Sequence, residues 1–289
     1  MTNSELPDGE ASRAHRASEV VHSLVYFVPE ADEEFSRIGL EPGRMAYFAS
    51  RAAPMGEVGP GVVVATFYNF NPALIARHIP RAWTLARPDE ILAARVRTAD
   101  TALRRLFGDD TIASAELAEA AELTRVAAEG CRPEGRPLYA AHADLDWPKE
   151  PHLVLWHAVT LLREHRGDGH IASLLRHGLT GLEALITHTA TGRGFFVPAA
   201  KKLRGWSDED WSGAAEGLRR RGLLDEDDEL TELGSALRAD IEQETDVLAR
   251  GPWAHLGAPG VERLIELGKP LSRQLLAAGA FPKGIFRQR

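Results

Sequence analysis

The residues Trp156 to His170, WHAVTLLREHRGDGH, bring together three histidines, two arginines, a glutamate and an aspartate beside an apolar run. On a helix at 100° per residue, His157 and Glu164 project within about 20° of each other, two turns apart. An imidazole and a carboxyl on one buried face are the groups of general acid–base catalysis, because burial raises a carboxyl pKa and a neighbouring guanidinium lowers it. His157 and Glu164 are therefore the candidate catalytic pair. Arg163, His165, Arg166, Asp168 and His170 surround them as candidate ligand-binding side chains. Arg51, in the glycine- and proline-rich stretch GRMAYFASRAAPMGEVGPG, is a candidate anion clamp.

Metal chemistry makes a different demand. Ligands on one helix stand at i and i+3 or i+4, and no histidine pair in this region has that spacing. His177 and His188 would lie about 16 Å apart along an axis. A metal or haem site would need a chain break to bring His165 and His170 together, with Glu164 or Asp168. The architectural reading competes with all of these: Glu164, Arg166 and Asp168 serve as salt bridges and caps at a helix corner, with His170 a hydrogen-bond partner.

The elements that must position these groups are helical. Leu153 to Leu162 are apolar on every face, as in a central buried helix. Gly167 is expected to stop that helix and Asp168 to N-cap the next, GHIASLLRHGLTGLEALITHTA. Upstream, prolines 29, 72, 80 and 88 sit where helices open, and Asn71 precedes Pro72 as an N-cap. VVVATFYNF, residues 62–70, has a strand-like β-branched run but no evident partner, and reads as helix. Residues 1–10 read as disordered, 11–130 as a helical half, 131–151 as a long ordered linker and 152–289 as a second helical half. After a helix over about 112–129 and that linker, LLDEDDELTELG reads as strand, turn and strand. A helix over about 231–249, ended by Gly251-Pro252, and two more separated at Pro270 lead to a basic tail.

The 289 residues, 44% hydrophobic and 26% charged, fit an ordinary globular protein. No apolar run reaches the length of a membrane span and no apolar leader is present, so a cytoplasmic protein without membrane contact is expected. The single cysteine, Cys131, excludes an intrachain disulfide framework and reads as an incidental loop thiol. There is no G-x-S-x-G, P-loop or Rossmann fingerprint, and the cofactor, if any, is unknown.

LRRRGLLDEDDELTELGSALRADIE, with the helix before it, resembles the recognition helix, wing and following helix of MarR-type winged-helix proteins over about 195–245. YFASRAAPMG, ATFYNFNP, LREHRGDGH and the terminal helices resemble, over nearly the whole chain, a bacterial helix-turn-helix-like family that implies a fold and no activity. Ala65–Phe107 and Ala184–Leu224 share a pattern of apolar helix, turn, tryptophan (Trp83, Trp206) and arginine-ended helix, consistent with an internal duplication. The fold expected is mostly α, with two fused winged-helix-like (MarR-type) halves and a small β wing in the second. That arrangement would be a monomer with pseudo-twofold halves or a homodimer.

Charge argues against DNA as the main partner. Residues 207–246 hold 14 acidic and 4 basic side chains, a net of −10 against −8 for the whole chain. The first turn of the recognition helix would present Asp208, Glu209 and Asp210, and the wing an unbroken acidic run from Asp225 to Glu229. Such a surface repels phosphates. The leading expectation is a small-molecule ligand held between helices near Trp156–His170, with catalysis open. A DNA-binding regulator of MarR type, a metal- or haem-dependent enzyme using His165 and His170, and an interaction role for the acidic wing are the alternatives.

Overall fold

Prolines and short polar side chains mark where most helices begin. In the computed structural model, which describes residues 9–282, helix α1 is Glu10–Ser23, followed by a 3-10 turn at Leu24–Tyr26. α2 (Pro29–Arg37), α4 (Pro60–Phe67), α5 (Pro72–Ala76) and α6 (Pro88–Ile112) each open on a proline, whose missing N–H costs nothing in the first turn. α3 is Arg44–Ala52, and Asn71 caps α5 by accepting from the Ala73 amide at 2.8 Å. Helix α6 breaks at Gly108, where φ is 71°. α7 (Ala115–Glu129) starts at a Ser114 cap, and α8 (Pro137–Ala143) and α9 (Pro151–Arg176) again open on prolines. Thr180, Ser207 and Thr231 cap α10 (Gly181–Ala190), α12 (Asp208–Arg220) and α13 (Glu232–Leu248). α11 (Val197–Arg204), α14 (Arg250–Leu256) and α15 (Ala258–Ala277) complete the described chain.

Helix α9 is the axis. Its first half packs Leu155, Trp156 and Leu161 into a core shared with α1, α6, α7, α14 and α15. Its far end contributes Leu174 to a second core, with α10, α11, α12 and Ile241 of α13. A third core joins α2 to α6 and takes in Leu138 of α8. α1 and α15, the first and last helices among the described residues, lie side by side: Ser272 Oγ donates to the Ala17 carbonyl at 2.6 Å, and Gly268 gives that carbonyl room.

Several sequence expectations need correction. Helix α9 does not stop at Gly167 but runs on to Arg176, 26 residues in all and roughly 39 Å long. Gly169 serves close approach instead: a Cβ there would lie 2.7 Å from Arg136 Nη1 and 3.2 Å from Leu248 Cβ. The expected linker 131–151 contains α8, with Leu138, Tyr139 and His142 buried. Gly251-Pro252 lies inside α14, the break coming at Ala249, and α15 runs through Pro270. The β wing reduces, among the described residues, to one antiparallel bridge between Leu224 and Leu230. Glu10 belongs to α1, whereas the expected disorder before Gly9 and the basic tail after Pro282 lie outside the described residues. VVVATFYNF is helical as far as Phe67, after which Tyr68 turns out with φ 59°. Among the described residues no helix is long and apolar enough to cross a membrane.

Candidate functional site

Glu164 lies at the centre of α9 and is completely buried. Arg51 of α3 grips it with both ends of its fork, Nε to Oε1 at 3.1 Å and Nη2 to Oε2 at 2.9 Å. Arg163 Nη1 adds a third bond at 2.6 Å. Burial alone would raise the Glu164 pKa, but the two guanidiniums override it and hold the carboxyl well below its usual range. A carboxylate so held neither donates nor collects a proton near neutral pH. The anion clamped by Arg51 is thus Glu164 itself.

The remaining residues singled out from the sequence go separate ways. His157 packs edge-on against Trp147 at 4.8 Å, with burial lowering its pKa to about 4, and does not meet Glu164. His165 faces Tyr139 at 5.2 Å. Arg166 pairs with Glu242 at 3.4 Å and Asp246 at 3.0 Å. Asp168 accepts from the Leu138 and Tyr139 amides at 3.1 and 2.9 Å, capping α8 rather than a helix of its own. His170 shares a hydrogen bond with Thr245 Oγ1 at 2.8 Å. Five residues apart on an unbroken helix, His165 and His170 point about 140° apart, so the corner required for a shared metal does not form. Among the described residues no cluster of three His, Cys, Asp or Glu has the geometry to hold a metal ion. Cys131 is buried, and burial pushes its thiol up to about 12.

Around Glu164 the structure assembles a row of rings that sequence reasoning did not find. Tyr26 meets Tyr47 at 5.0 Å, and Tyr47 meets Phe70 at 5.5 Å. Guanidiniums stack along it: Arg95 5.4 Å from Tyr26, Arg51 4.3 Å from Phe67 and Arg204 4.3 Å from Phe70. Tyr26, Tyr47, Arg163 and Arg204 come from four different segments and each keeps partial exposure, in a cluster where α3, α9, α11 and the turn after α1 meet. Burial alone would raise the Tyr47 phenol, yet Arg51, Arg204 and Arg163 outweigh it and lower its pKa. Burial depresses Arg204 itself to about 10. The signal available in the sequence was the aromatic–arginine pairing in YFASRA and ATFYNF, which lacked its third partner, LRGW.

Beside this cluster α10, α11, α12, the Leu224–Leu230 bridge and α13 follow one another, and the family model of a helix-turn-helix family matches residues 11–282. The chain belongs to that helix-turn-helix family. No curated protein and no solved structure matches it. Within this family member, the segment 68–71 docks against the α11–α12 turn. Trp206 Nε1 donates to the Asn69 carbonyl at 3.0 Å and the Asn71 amide to the Arg204 carbonyl at 2.9 Å. The Tyr68 hydroxyl donates to the Leu179 carbonyl. On α12 the bases are already engaged: Arg219 by Glu216 and Asp228, Arg220 by Glu216, and Arg221 by Glu183.

Proposed function

We propose that this helix-turn-helix family member binds a small molecule in a recess between α3, α9 and α11, beside the half-exposed Tyr47, Arg163 and Arg204. The observation that carries the reading is Arg204, whose guanidinium stacks on Phe70 and makes no hydrogen bond to any described residue, its Nε being buried. Pockets between helices with a few convergent polar groups are a usual form of ligand site. The pocket expected from the sequence near Trp156–His170 is kept on α9 but moved to its Arg163 face, and His157 and Glu164 have no catalytic part in it. Native mass spectrometry of the freshly purified protein tests the reading. A co-purified mass lost in Arg204→Met supports it, whereas the same retained mass in both forms puts the ligand elsewhere.

The second reading is a transcriptional regulator of MarR type, with the same recess as its effector site. Family membership and the order of α10, α11, α12, bridge and α13 favour it, with α12 as the recognition helix and residues 224–230 as the wing. The exposed Asp208, Glu209 and Asp210 at the start of α12, and the paired arginines at its end, weigh against it. Binding to random duplex DNA at about 50 mM salt that weakens steeply with added salt supports the regulator, and no binding there rejects it.

A further inference from the structure

The interior around the recess has more guanidinium than carboxylate. Arg51, Arg95, Arg163 and Arg204 converge on it, and the one carboxylate among them, Glu164, is taken up by Arg51 and Arg163. Among the described residues Arg95 is satisfied only by neutral oxygens, the Ser50 carbonyl at 3.0 Å and the Tyr26 hydroxyl at 3.1 Å. Arg44, half-buried on α3, also hydrogen-bonds to no described residue and acts on Arg204 as a like charge. Asp168, the next acid along α9, spends itself on the α8 amides. A half-buried guanidinium without a counter-charge is costly unless something supplies the anion. Phe70 and Phe195, 4.3 and 5.2 Å from Arg204, hold its plane by stacking and leave its edge as the face for hydrogen bonding.

The recess adjoins an apolar groove. Arg163, Gly167, Ile171 and Leu175 recur every four residues on α9 and so form one stripe. The stripe leads from the guanidiniums to a groove of about 370 Å³ lined by Val64, Phe70, Pro72, Ile171, Leu175 and Trp206. Phe70 belongs to both, and Leu175 is 63% exposed. From Arg163 to Ile171 the rise is roughly 12 Å.

We propose, building on the reading of the recess as a ligand site, that its ligand is an amphipathic organic anion. A carboxylate or phosphate head pairs with Arg204 and Arg163, and an apolar body of about ten carbons lies along the Ile171–Leu175 groove.

The test is calorimetric titration of the full chain with four probes below their micellar range: decanoate, decyl phosphate, 1-decanol and inorganic phosphate. Decanoate or decyl phosphate is expected to bind at least tenfold more tightly than decanol, the tighter of the two naming the head group, with affinity falling as salt is added. Arg204→Met should remove most of that advantage and leave decanol binding unchanged. Leu175→Asp, at an exposed position that leaves the fold intact, should weaken both decyl anions without changing the weak binding of inorganic phosphate. Decanol binding as well as decanoate, with no salt dependence, overturns the anionic class and leaves the recess as a ligand site. Inorganic phosphate matching decyl phosphate overturns the apolar body. No binding of any probe, together with no co-purified mass, overturns both readings. Should Arg204→Met fail to fold, the salt dependence and Leu175→Asp decide the matter in the wild-type background.

Discussion

Arg51 and Glu164, 113 residues apart in the chain, form a two-bond ion pair in the interior, with Phe67 stacked on the guanidinium. Removing one partner strands a buried charge. Glu164→Gln is expected to cost about 3–5 kcal/mol in urea unfolding. The paired change Arg51→Met with Glu164→Leu should cost less than the two single changes together, because it removes both charges. Additive losses would show that the pair is uncoupled.

Asp168 ties α9 to α8 through two backbone amides. Asp168→Asn keeps the shape but weakens the acceptor, so amide exchange at Leu138 and Tyr139 should accelerate selectively while global stability falls by about 1 kcal/mol. Unchanged exchange at those two amides would remove Asp168 from its capping role.

Gly181 opens α10 against the backbone of the 68–71 segment. A Cβ there would stand 1.9 Å from the Tyr68 carbonyl oxygen, a group that cannot swing aside as a side chain does. Gly181→Ala should therefore destabilise by more than the roughly 1 kcal/mol typical of a point change and loosen the Trp206–Asn69 contact, visible as a shift in tryptophan fluorescence. A stability equal to wild type would show that the segment yields freely.

Burial holds His15, His157, His165 and His170 at pKa values of about 4 and His142 at about 3. Unfolded histidine titrates near 6.5. Between these values the unfolded chain takes up protons that the folded chain refuses, so stability is full above about pH 7 and is lost as pH falls towards 4. Glu164, held below its ordinary range, acts in the same sense at lower pH. Asp168, raised to about 6 by burial, opposes them between about 4 and 6, one group against five. The melting temperature should fall continuously from pH 7 to 4, whereas a level profile down to pH 5 would contradict the buried neutral histidines.

The helices were legible because their starts are written locally: Asn71-Pro72, Ser207 followed by three acids, and Thr231 each cap as their types require. Gly167-Asp168-Gly169 was not, because a glycine that ends a helix and one that admits a neighbour look the same along the chain. Arg136 and Leu248 decide between those uses, and both are remote in sequence. The candidate site was half legible for the same reason. The sequence marks Arg51 as an anion clamp and Glu164 as a buried carboxyl beside His157, but that the two satisfy each other is a fact of packing. Tyr26 and Arg204 carry no motif, Tyr47 shows only as a ring near Arg51 in YFASRA, and only the convergence of α3, α9 and α11 makes them neighbours.

The contact between α1 and α15 joins residues 255 positions apart, Ala17 and Ser272. A chain emerging from the ribosome at the usual rate adds those residues in roughly 13–50 s. Throughout that time the apolar face of α1 has no α15 to cover it. The layer formed by α1 and α15 can therefore close only after Ser272 has left the ribosome. A nascent chain stalled before residue 258 should be open to proteolysis at its N-terminal helix, even where α3 to α9 have already packed.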